Sequence, residues 1–288
     1  MKKIVLILTF ILFAAPAAAD ADVAEIIERY NISLGDARAY CSGLSEQINS
    51  IKALAGIGVG AGAVGTIAGT TALVTGIMKY NEDQRILKIS NMSFQELRQF
   101  LTEHETEYRK LIARSQTLGH IRTAGAFVAG ASGAVGAVTA FSGAGNIDDL
   151  VENMNACNSN VQDIEKQMIE LRFMDPDHSA IAQMSRIVEN CRGMDFRNIE
   201  NVKGRLRTAG VLSVVGGVAG VVGGITSAMA VSKERQGAED GTYGLNRAAN
   251  ISSGVAAAGN LGGAILSGTV LAGLNRNSDI AGRCAGAF

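Results

Sequence analysis

Four stretches of this chain, residues 53–78, 123–146, 208–232 and 251–274, carry no charge and are built largely from Gly, Ala and Val. Each exceeds the about 20 residues that a helix rising about 1.5 Å per residue needs to cross a bilayer. None alternates with a period of two, so none reads as a strand. In water the six glycines from Gly210 to Gly224 would cost a helix about 6 kcal/mol relative to alanine. Such a helix is expected only where an unpaired peptide group costs more than glycine does, in hydrocarbon or against a tight neighbour.

The small residues recur every four positions, which places them on one helical face. Ala61, Gly65 and Gly69 form such a face. So do Gly125, Ala129, Gly133 and Ala137, then Gly216, Gly220, Gly224 and Ala228, then Gly254, Ala258 and Gly262. A face without side-chain bulk lets a second helix approach closely. These faces resemble the glycine-zipper (small-xxx-small) motif of exported bacterial membrane proteins, a resemblance confined to the motif that points to no specific family. It implies close helix packing at those glycines. The fourth segment is the most polar, with Ser252, Ser253, Asn260 and Ser267.

Lys2 and Lys3 precede an apolar run, and Ala17-Ala18-Ala19 offers a small-residue cleavage site before Asp20. Residues 1–19 therefore read as a secretory signal peptide. Export leads to a compartment where disulfides persist, and Cys41, Cys157, Cys191 and Cys284 all follow the signal. The order cysteine, apolar segment, charged connection, apolar segment, cysteine occurs twice. Cys41-Ser-Gly-Leu matches Cys191-Arg-Gly-Met in the same place. The reading is an all-α chain of two duplicated, disulfide-stapled helical hairpins. Hairpin 1 takes residues 20–158 with a charged helical connection at 79–122, residues 159–190 form an acidic helical linker, and hairpin 2 takes residues 191–288. Paired positions of an antiparallel hairpin have residue numbers of constant sum. Cys41 with Cys157 matches the sum set by the ends of the first two segments, and Cys191 with Cys284 comes near that of the second two. The expected bonds are therefore Cys41–Cys157 and Cys191–Cys284, with the second hairpin turning near Gln236-Gly237.

With the signal removed, four spans keep both termini and all cysteines outside, which predicts an inner-membrane protein with its cysteines facing the periplasm. The alternative is a secreted or periplasmic helical bundle. The connection at 79–122 carries eight Lys/Arg, as a cytoplasmic loop should. Lys203, Arg205 and Arg207 depart from that rule, because they precede the third segment on the outer side.

Ser93-Phe-Gln-Glu96 is a capping box, and Phe94, Leu97, Leu101, His104, Tyr108, Leu111 and Leu118 follow at helical spacing. One long amphipathic helix is expected there, leading into the second apolar segment with His104 in its apolar seam. Two shorter helices are expected on either side of Asp175-Pro176-Asp177, with stripes of Val161, Ile164, Met168 and Leu171, and of Ile181, Met184 and Val188, packed into the same domain.

Chemistry-bearing motifs are few. Gly60, Gly62 and Gly65 match a dinucleotide-binding spacing, with Asp83 following, but lie inside an apolar helical run without the required strand. His104 has Glu103, Glu105 and Glu107 nearby but no second histidine at ligand spacing; His120 and His178 are scattered. Asp148-Asp149 reads as helix-start capping. No catalytic residue, cofactor, metal or small-molecule substrate is identified, and an enzyme is not expected. Balanced charge, 26 Lys+Arg against 27 Asp+Glu, gives no footprint for nucleic acid. The partners expected are the lipid bilayer and either further copies of the chain or another envelope protein. The expected role is structural, through glycine-rich helix faces. The alternative is an oligomeric pore lined by Asn260 and the serines of the fourth segment.

Overall fold

The computed structural model describes residues 2–193, 196–236 and 242–288, and gives the backbone alone for residues 2–21, 196–198, 200 and 276. Its elements are α1 (Lys2–Cys41), α2 (Leu44–Ser90), α3 (Phe94–Met174), α4 (Ala180–Cys191), α5 (Phe196–Arg235) and α6 (Thr242–Ala285). No strand occurs among the described residues. Four of the helices, α2, α3, α5 and α6, are long and apolar enough to cross a membrane. The expected cleavage site falls within α1, among residues whose side chains lie outside the described set. Gly237 of the expected second turn lies outside it as well.

The helix boundaries have local causes. At the start of α3 the Ser93 amide and hydroxyl both donate to Glu96 Oε2, at 2.9 and 2.6 Å, and the Glu96 amide returns a bond to Ser93 Oγ at 3.4 Å. These bonds satisfy donors that the first turn leaves without partners. They also hold the Glu96 carboxyl below its ordinary value, the side-chain bond contributing most. α3 then runs through the apolar segment, with one break in helical geometry at His104 (φ −129°, ψ 21°). It stops before Pro176, which lacks the amide a helix needs. α4 begins after the break, where the Ala180 amide donates to His178 Nδ1 at 3.2 Å. It ends at Arg192, whose backbone is extended, and Gly193 follows at φ +93°, a conformation that glycine adopts without steric cost.

The chain divides into two compact units that cut across its sequential order. Unit 1 comprises Met1–Lys52, Gly145–Val202 and Ala272–Phe288. It holds both disulfides, Cys41–Cys157 and Cys191–Cys284. Its core is of ordinary large side chains. Leu44, Ile48, Ile147, Leu150, Ile164, Leu171, Met184 and Ile187 have no exposed surface, so both stripes around the Pro176 break are largely buried. Asp148 and Asp149 are exposed in the interior of α3. The capping reading of that pair is thereby corrected: the helix starts 54 residues earlier, at Phe94.

Unit 2 comprises Ala53–Ala144 and Lys203–Leu271 and contains the four apolar segments. Its core is made of small residues. α2 meets α3 at Gly125, where a Cβ would lie 2.9 Å from the Ala68 carbonyl. α3 meets α5 at Gly133, where a Cβ would lie 2.5 Å from the Gly217 backbone. α5 meets α6 at Gly216 and Gly259, and α6 returns to α2 at Ala257 and Gly69. Along each contact, residue numbers rise on one helix as they fall on the other. The four helices therefore form a closed ring of antiparallel neighbours.

Candidate functional site

The glycines singled out by spacing fall at different depths of these contacts. Gly65 and Gly216 make room for Asn260, Gly69 for Ala257, and Gly220 for the Gly130 backbone; Gly224 lies under the Phe127 ring. Gly262 meets the side chain of Leu212. Gly254 is loose, its closest neighbour being Leu73 Cδ2 at 3.8 Å. On α6 the backbone approaches through Ala256, Ala257, Gly259, Asn260 and Ala264 define a face rotated from the one that four-residue spacing selects, and Ala258 of the latter is exposed. Asn260 accounts for the rotation. Its amide is fully buried and donates to the Ala129 carbonyl at 3.1 Å, an interhelical bond that fixes which side of α6 points inward. Ser253 and Ser267 are buried too, so these polar residues are engaged in packing within one chain.

The densest polar arrangement in unit 2 lies just beyond the ends of the apolar segments. Lys79 has no exposed surface, and its ammonium uses all three of its donors. It donates to Asp83 Oδ2 and Oδ1 at 2.8 and 3.0 Å one turn along α2 and to Ser115 Oγ of α3 at 3.0 Å, and it pairs ionically with Glu234 Oε2 of α5 at 2.9 Å. Ser115 in turn donates to Asp83 Oδ1 at 2.5 Å. Asn246 of α6 donates to Glu234 Oε1 at 3.3 Å and accepts from Arg122 at 2.6 Å. Arg122 is likewise fully buried, and its Nε donates to Ser227 Oγ at 2.8 Å. One connected network of hydrogen bonds, closed by the Lys79–Glu234 ion pair, thus joins α2, α3, α5 and α6. Two cations face two carboxylates inside it.

Two glycines make this burial sterically possible. A side chain at Gly76 would collide with Asn250 and come within 3.0 Å of Arg122 Cδ. A Cβ at Gly119 would lie 2.7 Å from Val231 and 3.3 Å from Lys79 Cε. Each glycine precedes a buried cation by three residues in its own helix, Gly76 before Lys79 and Gly119 before Arg122. Beside the network, Glu82 is buried and pairs with Arg114 at 3.4 Å. The Tyr80 and Tyr243 rings lie 6.0 Å apart at 55°. Contact with the Tyr243 hydroxyl holds the Tyr80 phenol above its ordinary value, through the hydrogen bond first and charge repulsion second.

The sequence reading treated Lys79 and Arg122 as loop charges, and the structure buries both. It also corrects the reading of His104. That residue is exposed at the irregular turn of α3, 3.6 Å from Glu107 and beside the tilted ring of Phe100. His120 accepts from Arg235 at 2.7 Å, since a guanidinium has only donors to offer. Gly60, Gly62 and Gly65 lie within α2, where no strand precedes them. The Sγ atoms of Cys41, Cys157 and Cys284 lie within 4.8 Å of one another, but all are committed to disulfides and hold no lone thiolate for a metal. No family model matches the chain, and neither a curated protein nor a solved structure matches it.

Proposed function

We propose that this chain is an exported, integral membrane protein of the bacterial cell envelope with a structural, assembly-related role. One observation carries the reading: unit 2 is polarised inside out. Gly, Ala, Ser, Thr and Asn make up most of its interior between the spans, while Ile67, Val138, Val218 and Ile265 are 57–69% exposed on its outside. In water this arrangement leaves the large apolar side chains unburied and gives the core little hydrophobic stabilisation. In a bilayer the lipid covers the outside, and close van der Waals packing of small residues holds the helices together. We read the four spans as two related hairpins stapled by Cys41–Cys157 and Cys191–Cys284. The signal peptide is removed and the cysteines face the periplasm from the inner membrane.

Most of the glycine faces are taken up by the chain's own helices. Assembly with further copies or another envelope protein therefore falls to the outside, where Gly56 and Gly60 of α2 stand four apart with nothing near them. Alkaline carbonate extraction of fractionated cells tests the reading. The protein is expected to stay with the membrane pellet; its release into the supernatant would overturn the proposal.

A further inference from the structure

Beside the buried network, a cavity of about 350 Å³ opens within unit 2, between the ends of α2 and α5 and the starts of α3 and α6. That volume is at the small end of the range for ligand pockets. Among the described residues, the charged ones lining it are Asp83 and Glu234, both acidic. Their counter-ions, Lys79 and Arg122, have no exposed surface and do not reach the cavity wall. The Lys79 ammonium has spent its donors on the two Asp83 oxygens and Ser115 while pairing ionically with Glu234, whereas each carboxylate oxygen accepts more than one bond. Both carboxylates keep about a quarter of their side-chain surface open. Acceptor capacity is therefore presented to the cavity, with no donor of opposite charge on its wall among the described residues. The remaining wall combines Ile86, Leu87, Ile112 and the tilted rings of Tyr80 and Tyr243 with the uncharged polar side chains of Gln84, Ser115, Gln116, Thr242 and Asn246. Aromatic faces attract cations.

We propose that this cavity binds a small organic cation, an apolar body carrying a primary ammonium group, with Asp83 and Glu234 accepting its protons and Tyr80 and Tyr243 flanking it. A primary ammonium fits better than a quaternary one, because the carboxylates need N–H donors. Two sources supply this chemistry: a free amine, or the headgroup of an aminophospholipid. Only the second rests on the membrane reading, since the cavity begins just beyond the apolar segments.

The test titrates phenethylamine, and its neutral counterpart phenethyl alcohol, into the purified full-length chain in detergent, followed by calorimetry. The amine is expected to bind at least about tenfold more tightly than the alcohol, the size of one charge-assisted hydrogen bond. Asp83→Asn should weaken amine binding by a similar factor. Because that change also touches Lys79, Leu87→Trp serves as a second variant: it fills the cavity from a half-exposed position and should abolish binding while leaving the helical circular dichroism unchanged. Equal affinity for alcohol and amine, no amine binding at all, or wild-type binding by both variants would overturn the proposal. Nanodiscs then separate the sources. If a headgroup is the occupant, phosphatidylethanolamine discs weaken phenethylamine binding relative to phosphatidylglycerol discs, and a free amine as occupant leaves the two equal; either supports the shared chemistry.

Discussion

A lysine stripped of water survives only when each of its protons is received, and Lys79 meets that condition through the two Asp83 oxygens and Ser115, with Glu234 as a second counter-charge. Replacing it with methionine leaves two carboxylates facing each other across an apolar stem. Lys79→Met is expected to destabilise the protein by about 3 kcal/mol, the low end for breaking a buried pair because both acids retain some solvent. Unfolding in mixed detergent micelles, followed by circular dichroism, measures it; a loss below about 1 kcal/mol would mean that the network is not held as described. The glycines divide on the same physical ground. Gly133→Ala forces a methyl against the Gly217 backbone, which has no flexible end to move aside, and should cost about 1–3 kcal/mol. Gly60→Ala meets nothing and should be neutral or stabilising by up to about 1 kcal/mol in the same assay.

Elements whose boundaries depend on neighbours in sequence were legible from the chain alone. The capping box of Ser93 and Glu96, the break at Pro176 and the run of α3 into the second apolar segment are of this kind. The cysteine pairing was legible too, because it follows from distances along antiparallel helices. The buried network was not. Its members come from four helices, and Lys79 and Arg122 lie at segment ends, where a charge usually marks a solvated loop. A glycine three residues before each cation, and Asn246 and Asn250 four apart on α6, were the available signals. They gain meaning only once the helices are paired. His104 failed for the opposite reason: its spacing matched a stripe, but that part of α3 has little packed against it. At this scale the capping box gives a pH prediction. The folded carboxyl of Glu96 lies below its unfolded value, so its stabilising effect is present above the ordinary carboxylate value of 4.5 and is lost as the pH falls through the folded one. Hydrogen exchange in the first turns of α3, corrected for intrinsic rates, should therefore lose protection on acidification in the wild type. In Ser93→Ala that protection should already be low at neutral pH; unchanged protection would show that the cap contributes nothing.

Across the whole molecule, the two units are held by different forces. Unit 1 has a core of Leu, Ile and Met fastened by two disulfides, and unit 2 a core of small residues whose cohesion depends on what surrounds it. Removing one disulfide, as in Cys41→Ser with Cys157→Ser, should cost about 2–5 kcal/mol by freeing the unfolded chain. Protease susceptibility of the purified double variant reads that loss. If copies associate through the open face of α2, Gly60→Ile should abolish cross-linked dimers in membranes, and an unchanged dimer yield would place the contact elsewhere. Spin labels placed singly at Ile67, Val138 and Val218 of the liposome-reconstituted protein report the solvent around unit 2. Frequent collisions with dissolved oxygen and few with a water-soluble nickel chelate are expected. Nickel accessibility at those three positions equal to that of a label at the exposed Glu103 would contradict that expectation.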